Sequence, residues 1–266
     1  MIEPLKMVVF DWAGTMIDFG CTAPVKAMQA ALAEEGLSIG EEIIRADMGL
    51  AKKDHVRCLL GRLSDRWREL HGRLPEEMDV ERIHRRLEPL IAAAAVEASQ
   101  LISGAAETYS ALCAAGLRIG STTGYSAATM GPVIARAGAQ GYRPDAVMCA
   151  GDTRAGRPSP LMIYRLAADL GIWPMQHIVK VDDAPSGIAE GVNAGAWSIG
   201  VAASGNGVGL SFEELMALPQ QERLVKIAAA RRALELAGAH YVIETVADLM
   251  PVLHHIAARL RVGARP

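Results

Sequence analysis

The sequence lacks the features that mark disulfide-bonded, membrane-spanning and nucleic-acid-binding proteins. Its four cysteines are widely spaced and include no CxxC pair, which favours a reduced, cytoplasmic setting. No apolar run reaches the roughly 18 residues that a membrane helix needs, and the richest one, 90–96, stops at Glu97. A net charge of -3 argues against a nucleic-acid surface. The N-terminus carries Glu3 and Lys6, so we also expect no signal peptide.

What is present is an ordinary globular composition, with 51% hydrophobic and 21% charged residues in 266. The segment Met7–Thr15 runs from three apolar residues and an aromatic into Asp11, with Gly14 following. This pattern predicts a short buried strand that carries the carboxylate of Asp11 at its C-terminal tip. In open α/β sheets, ligands bind at that edge.

Apolar spacing changes character along the chain. Residues 21–99 show helical spacing without strand-like alternation, whereas strand and helix patterns alternate from Gly104 onward. The later strands are predicted at 117–122, 146–149, 178–181, 197–201 and 240–243. This alternation predicts an α/β fold with a parallel, doubly wound sheet. The first strand has no parallel partner until Leu117, so we predict a core domain of residues 1–20 and 100–266 with a helical cap domain, 21–99, inserted after the first strand.

Four groups of reactive residues follow predicted strands: Asp11, the run 121–125 (Ser-Thr-Thr-Gly-Tyr), Arg157 and the pair Asp182-Asp183. A carboxylate can attack phosphorus, and hydroxyls with backbone N–H groups bind phosphoryl oxygens. A fixed cation offsets charge on a transferring phosphoryl group, and further carboxylates suit Mg²⁺. Each group alone has a structural explanation, as a cap, a surface charge or a turn. Together they indicate phosphoryl chemistry.

In this order, the groups resemble the haloacid dehalogenase (HAD) superfamily, and residues 21–99 resemble its C1-type cap. The resemblance implies a HAD-like Rossmannoid core with a parallel sheet and an all-helical cap. Most HAD phosphatases have a second Asp two residues after the nucleophile, where it protonates the leaving alcohol. Here that position is Ala13, which indicates a leaving group that this acid would not serve.

The predicted cap contains a second reactive group. Lys52 and His55 are three residues apart and share a helix face, with Met48 one turn earlier. A desolvated lysine is a nucleophilic amine that can form a Schiff base with an aldehyde. The resulting iminium accepts electrons, so a carbon leaving group becomes possible. The alternative is that these are solvated helix residues, but Ala13 favours the reactive amine.

The motifs that begin at Asp11 and Met48, with Gly-Ser-Thr-Thr-Gly-Tyr and Gly-Arg-Pro, closely resemble the phosphonoacetaldehyde hydrolase family (phosphonatases). The similarity extends over nearly the whole chain, including Ile-Glu-Thr at 243–245. By resemblance, Asp11 is the nucleophile and Lys52 the Schiff-base lysine. His55 is the proton shuttle at the imine, with Met48 and Tyr125 around it.

The same resemblance implies a ligand set and an assembly. Thr123, Gly124 and Arg157, with Gly49 of the cap motif, hold the phosphonate. Asp11, the backbone carbonyl of Ala13 and Asp183 bind Mg²⁺. The implied partners are a small-molecule phosphonate and a second copy of the chain, bound through the cap domains, with no nucleic acid and no membrane.

The chain departs from the family at the acidic pair. Some members have Gly-Asp followed four residues later by another Asp, whereas this chain has Asp182-Asp183 and then Gly187. We expect Asp182 to replace the missing acid, directly or through water. Lys53 adjoins Lys52, but successive helical residues point about 100° apart, so we expect Lys52 alone to react.

Two other functional classes stay open. One is a HAD phosphatase or phosphomutase that acts on a small phosphate ester, against which Ala13 counts. The other is a non-catalytic HAD-fold binding or regulatory protein, against which the complete set Asp11, Lys52, Arg157 and Asp183 counts.

Overall fold

A six-stranded parallel sheet with the strand order β3-β2-β1-β4-β5-β6 organises the protein. We describe residues 2–266 from a computed structural model. The strands are β1 Met7–Phe10, β2 Arg118–Ser126, β3 Ala146–Ala150, β4 Ile178–Asp182, β5 Trp197–Val201 and β6 Tyr241–Ile243. The mixed α/β class and the parallel sheet confirm the predicted fold class.

β1 lies at the centre because it is apolar on both faces. It pairs with β2 on one side and with β4 on the other, and all four of its side chains are fully buried. Met7 and Val9 join one hydrophobic cluster, whereas Val8 and Phe10 join another. This alternation places the sheet between two apolar layers, as expected for a parallel sheet covered on both faces.

Six helices lie between β1 and β2. The first five form the helical insertion. They are α1 Ala23–Ala33, α2 Glu41–Arg45, α3 Lys52–Arg62, α4 Ser64–His71 and α5 Glu77–Glu97. We call residues 21–99 the cap and the rest of the chain the core. α5 buries Val80, Ile83, Leu87, Ile91 and Ala95, the spacing of one helical stripe. The helical insertion is therefore present, while the exact domain limits stay a prediction.

The remaining helices cover the sheet and its edge. They are α6 Ala105–Ala114, α7 Ala127–Ala139, α8 Leu161–Leu170, α9 Pro185–Asn193, α10 Phe212–Ala217, α11 Gln220–Leu236 and α12 Leu249–Arg261, with short 3₁₀ turns at Met175–His177 and Val246–Asp248. Within residues 2–266, none of these helices has the length and apolarity to cross a bilayer.

The structure extends one predicted strand, β2, and adds two helices, α4 and α10, whose positions the sequence pattern did not give. α4 lies in a polar stretch without apolar periodicity, and Trp67 is the one residue of this helix that is buried. α10 lies in a segment that reads as glycine-rich loop, and it begins with a capping box at Ser211. β2 continues through the Thr123–Tyr125 segment, with a register shift against β3 between Thr122 and Ser126.

Candidate active site

The reactive residues meet at the carboxyl ends of three neighbouring strands. Asp11 follows β1, the Thr123–Tyr125 segment ends β2, and Asp182 and Asp183 end β4. Because β2, β1 and β4 are adjacent, their ends bring these side chains together, as the topology predicts. Arg157 reaches the same place from the loop after β3.

A narrow pocket, partly open to solvent, lies between this edge and the cap. It is lined by Asp11, Ala13, Cys21, Pro24, Met48, Gly49, Lys52, Thr123, Gly124, Tyr125, Arg157, Asp183 and Ala184. All of the predicted site residues are therefore in its lining except His55 and Asp182, which lie behind it. Gly124 makes the close approach possible, since a Cβ there would lie 2.5 Å from the Leu50 carbonyl oxygen of the cap.

Arg157 is the electrostatic centre of the site. Its Nη2 lies 2.8 Å from Oδ1 of Asp11 and 3.3 Å from Oδ2 of Asp182. Its Nε lies 3.1 Å from Oε2 of Glu190. Nη2 also donates to the Thr122 carbonyl oxygen at 2.6 Å. These partners fix the guanidinium beside the nucleophile. Burial alone would lower the pKa of Arg157, but the charges of the neighbouring carboxylates outweigh burial and raise it, so the guanidinium stays charged.

Sequence reasoning missed the buried residues behind Arg157. Lys180, in the middle of β4, places Nζ 2.9 Å from Oδ2 of Asp182 and 3.4 Å from Oε2 of Glu190. The Thr122 hydroxyl accepts from Lys180 at 2.7 Å and donates to Glu190 at 2.8 Å. Lys180 and Glu190 are completely buried. A lysine inside an apolar strand, Ile-Val-Lys-Val-Asp, is the signal that could have identified this network.

The acidic cluster fits a divalent cation. Asp11, Asp182 and Asp183 each offer a carboxylate oxygen, and these oxygens lie within 4.8 Å of one another. Arg157 and Lys180 partner the first two, whereas Asp183 accepts from the Asn206 backbone N–H at 2.7 Å and the Thr15 hydroxyl at 3.4 Å. Burial, then the charges of Asp11 and Asp182, raises the pKa of Asp183 well above its ordinary value. A hard cation with oxygen ligands would relieve that repulsion.

Burial raises the pKa of Asp11 to about 6, although the Arg157 charge acts in the opposite direction. Burial also disfavours ionised Asp182, but Arg157 and Lys180 outweigh it, so the Asp182 pKa lies below its ordinary value. Asp182 is therefore the ionised partner of two buried cations. Asp11, in contrast, is harder to ionise than an exposed carboxyl group, because burial outweighs the nearby Arg157 charge.

The Asp182 carboxylate occupies the space beside Gly187. A Cβ built on Gly187 would lie 1.9 Å from Oδ2 and 2.1 Å from Cγ of Asp182. A side chain at position 187 and a carboxylate from position 182 therefore compete for the same volume. This geometry accords with the expectation that Asp182 replaces an acid otherwise supplied from position 187.

Lys52 is buried at the first turn of α3 and points into the pocket. Its Nζ lies 3.8 Å from Sδ of Met48 and 5.3 Å from the centroid of the Tyr125 ring. Met48 itself precedes α3, so this contact comes from the turn before the helix and not from a shared helix face. Burial lowers the pKa of Lys52 below its ordinary value, so the neutral amine is easier to form than in an exposed lysine.

Lys53 has the opposite environment. It forms ion pairs with Glu81 and Glu77 of α5. The hydrogen bond to Glu81 raises the pKa of Lys53, so its amine is the more strongly protonated of the two. The sequence analysis did not anticipate these ion pairs within the cap.

His55 lies one turn after Lys52 but does not reach the pocket. It is fully buried, and its Nε2 is 2.8 Å from the Ile44 carbonyl oxygen. Since a carbonyl only accepts, Nε2 carries the proton and Nδ1 keeps the lone pair. Burial, and then the charge of Lys52, lowers the pKa of His55 to about 3. The shuttle role of His55 stays a prediction, with Nδ1 as the atom available for it.

Comparisons with known proteins agree with this geometry. Residues 5–195 match the family profile described as haloacid dehalogenase-like hydrolase. The chain is 43% identical over 267 residues to the phosphonoacetaldehyde hydrolase of Paraburkholderia phytofirmans, covering 100% of both. It is 42% identical to that of Bordetella pertussis, covering 98% of this chain and 96% of the relative.

Solved structures give the same grouping. The crystal structure of a phosphonoacetaldehyde hydrolase-like protein from Oleispira antarctica is similar with a TM-score of 0.97 and 38% identity, covering 100% of this chain and 97% of that chain. A putative β-phosphoglucomutase from Bacteroides vulgatus shares the fold alone, with a TM-score of 0.66 at 17% identity, covering 97% and 90%. With full-length identity above 40% to curated relatives, the chain belongs to the phosphonoacetaldehyde hydrolase family of HAD-like hydrolases and is a hydrolytic enzyme.

Proposed function

We propose that the enzyme hydrolyses the C–P bond of phosphonoacetaldehyde to acetaldehyde and phosphate. One observation carries this proposal: a buried lysine amine, Lys52, shares a pocket with a carboxylate at the nucleophile position, Asp11, where Ala13 replaces the acid that an ester leaving group needs. An amine serves a carbon leaving group, and it has no use in simple ester hydrolysis.

The first step takes place at Lys52. Its neutral amine adds to the substrate aldehyde and water leaves, which forms an iminium. The lowered pKa of Lys52 supplies the neutral amine, and the Tyr125 ring and the Met48 sulfur border the nitrogen. His55, through Nδ1 and an intervening water, is the candidate that moves the proton.

The second step takes place at phosphorus. Asp11 attacks the phosphonate while Arg157, Thr123, Gly124 and Gly49 hold its oxygens. The C–P bond breaks, its electrons flow into the iminium, and an enamine remains on Lys52. The phosphoryl group stays on Asp11 as an aspartyl phosphate, which accounts for both fragments of the substrate.

Asp11, the backbone carbonyl of Ala13 and Asp183 would hold Mg²⁺, with Asp182 beside them. The bound ion would supply positive charge that offsets the like charges of the Asp11 carboxylate and the phosphonate. Arg157 alone cannot fill this role, because Glu190 and Asp182 already share its charge.

The last steps consume two waters, one of which replaces the water released when the iminium formed, so the whole cycle consumes one. Water cleaves the aspartyl phosphate and regenerates Asp11, the enamine is protonated at carbon, and hydrolysis of the imine releases acetaldehyde and the Lys52 amine. The cap covers the pocket from the Met48 side, which limits the access of water during the transfer.

We also propose a homodimer joined through the caps, in the cytoplasm. The cap exposes Leu70, Leu74 and Met78, at 51%, 49% and 70% of their surface, which supports an interface there. All four cysteines are free thiols, which fits a reduced compartment. Light scattering of the wild-type protein and of a Met78→Asp variant tests the dimer, since only the wild type should have the mass of two chains.

The defining test is to supply phosphonoacetaldehyde with Mg²⁺ and to measure acetaldehyde and phosphate together. Equal amounts of both products are expected. A panel of small phosphate esters, including sugar phosphates, should give much slower phosphate release. Comparable efficiency on an ester would support the phosphatase alternative, and no Mg²⁺-dependent turnover on any substrate would support a non-catalytic role.

Borohydride trapping tests the Schiff base directly. Reduction in the presence of acetaldehyde should inactivate the enzyme, and peptide mapping should place the adduct on Lys52. Lys52→Arg should abolish trapping because a guanidinium stays charged. Lys53→Arg, the adjacent matched control, should trap normally. An adduct on Lys53, or inactivation without aldehyde, would contradict the proposed mechanism.

A further inference from the structure

Arg45 and Asn206 join the cap to the core outside the substrate pocket. Arg45 is the last residue of α2, and its guanidinium crosses to the core. It donates to the carbonyl oxygens of Gly20 and Gly209, both at 3.0 Å, and to Oδ1 of Asn206 at 3.2 Å. The Arg45 side chain is only 13% exposed. A buried guanidinium that reaches several core acceptors is a specific attachment rather than a solvated surface charge.

Asn206 returns the contact and extends it to the acidic cluster. Its Nδ2 donates to the Arg45 carbonyl oxygen at 3.0 Å. Its backbone N–H donates to Oδ2 of Asp183 at 2.7 Å. One buried residue therefore holds a cap residue through its side chain and a carboxylate of the active site through its backbone.

The loop that carries Asn206 is shaped around these two contacts. A Cβ on Gly205 would lie 2.6 Å from Cβ of Asp183, and a Cβ on Gly209 would lie 2.7 Å from Nε of Arg45. A side chain at either position would displace the carboxylate or the guanidinium. The glycines on both sides of Asn206 therefore keep both partners in place.

On the cap side, Arg45 is connected through Met48 to the Lys52 amine. The Arg45 carbonyl oxygen, which binds Asn206, also accepts from the Met48 backbone N–H at 3.2 Å. Four residues after Met48 the chain reaches Lys52. The Met48 carbonyl oxygen accepts from the Ser186 hydroxyl of the core at 3.0 Å. Fixing Arg45 to the core thus fixes the turn that carries Met48 above the pocket.

We propose that Arg45 and Asn206 form a latch that couples docking of the cap to the position of Asp183. Both are positioning residues: neither lines the substrate pocket, and both act through residues that do. The latch brings Lys52 over the core and holds the Asp183 carboxylate through the same loop. The latch proposal deepens the proposed function. Only the activity measurements that test the latch depend on that function.

Labelling of Cys21 tests the latch without any turnover. Cys21, the first residue of the cap, lines the pocket and is 3% exposed, so a small maleimide reaches it only when the cap lifts. In Arg45→Met and in Asn206→Ala, the labelling rate of Cys21 should rise about tenfold or more, because hydrogen bonds to a charged group are lost. Cys149, buried in β3, is the internal reference and should keep its rate. Peptide mapping separates both from the exposed Cys58 and Cys113.

Arg86→Met is the matched control. Arg86 forms its ion pairs with Glu34 and Glu35 inside the cap, so this variant loses the same charge without touching the core. Its Cys21 labelling rate should equal that of the wild type. Arg45→Lys should stay close to Arg45→Met, because a single ammonium cannot reproduce the geometry of the guanidinium fork.

Activity provides a second measurement. Arg45→Met and Asn206→Ala should each lower kcat/KM about 5- to 150-fold, the range of ordinary coupling between sites. The double variant should be no worse than the worse single variant, since either change opens the same latch. The Mg²⁺ concentration for half-maximal activity should rise in both, because coupling is reciprocal.

Unchanged Cys21 labelling in both latch variants would overturn the proposal. Equal acceleration of Cys21 and Cys149 would also overturn it, because it would indicate general loosening. Multiplicative losses of kcat/KM in the double variant would show two independent contacts and contradict the coupling. If the substrate assignment is wrong, the wild type will lack phosphonoacetaldehyde turnover while the Cys21 result still stands, so the two failures are distinguishable.

Discussion

Moving the Asp182 carboxylate to position 187 is the sharpest test of the buried charge network. Three variants are needed: Asp182→Gly, Gly187→Asp, and the double exchange. In the native protein, Asp182 is completely buried between Arg157 and Lys180. Removing one partner of such a set leaves buried charge uncompensated, which costs about 3–5 kcal/mol. We expect Asp182→Gly to lose free energy of unfolding in that range and most of its kcat/KM.

Gly187→Asp should fail for a different reason. Its Cβ would meet the Asp182 carboxylate at 1.9 Å, and two carboxylates would compete for one site. Overpacking alone costs about 1–3 kcal/mol, and the second charge adds to it. In the double exchange, Asp182→Gly vacates that volume and the first turn of α9 delivers a carboxylate into it. Both stability and activity should therefore recover beyond the sum of the single changes, with a coupling of about 3 kcal/mol.

Urea unfolding monitored by circular dichroism measures the free energy of unfolding of each variant. The activity of each variant is measured as kcat/KM for phosphonoacetaldehyde. Gly131→Ala on α7 is the control, because a Cβ there meets nothing within 4 Å. It should be neutral or stabilise the helix by up to about 1 kcal/mol. Additive losses in the double exchange would refute the reasoning, since they would show that positions 182 and 187 do not share one carboxylate site.

Four further outcomes follow from the site. Asp11→Asn should retain its far-UV circular dichroism spectrum and lose about 10⁴-fold or more in kcat, because an amide is a poor nucleophile; a small loss would exclude the aspartyl phosphate. Ala13→Asp should slow C–P cleavage by crowding the substrate and allow weak ester hydrolysis; unchanged phosphonoacetaldehyde turnover would show that Ala13 is incidental. A chelator should stop phosphate release yet leave borohydride trapping at Lys52 intact, and full turnover in excess chelator would exclude the metal role of Asp183. His55 has a folded pKa of about 3 against an ordinary 6.5, so its contribution to stability is complete above pH 6.5 and falls as the pH drops toward 3. From pH 7 to pH 5, the free energy of unfolding in urea should therefore fall about 2 kcal/mol more for the wild type than for His55→Gln. An equal pH dependence of the two proteins would contradict the assigned burial effect.

Much of the core and of the pocket could be predicted from the sequence. Strand and helix periods are local properties of the chain, so the alternation after Gly104 was enough to indicate a parallel sheet. Parallel strands align their carboxyl ends, and that rule brings Asp11, Thr123 and Asp183 together without any coordinates. Ala13 mattered because it departs from the HAD pattern that the chain resembles, in which an acid stands at this position. Family membership is now shown by the comparisons, whereas the roles given to individual residues stay predictions.

The tertiary structure alone decided how those residues are charged and held. Lys180 and Glu190 are far apart in sequence from Arg157, and only the packing of β4 and α9 makes them its partners. The exclusion of a side chain at Gly187 by Asp182 depends on distances below 3 Å, which no periodicity encodes. The pKa of Lys52 is lowered because this lysine is buried, whereas the pKa of Lys53 is raised because this lysine is paired with Glu81. Desolvation and ion pairing depend on distances between residues remote in the chain, so they are properties of the folded protein and cannot be read from local sequence.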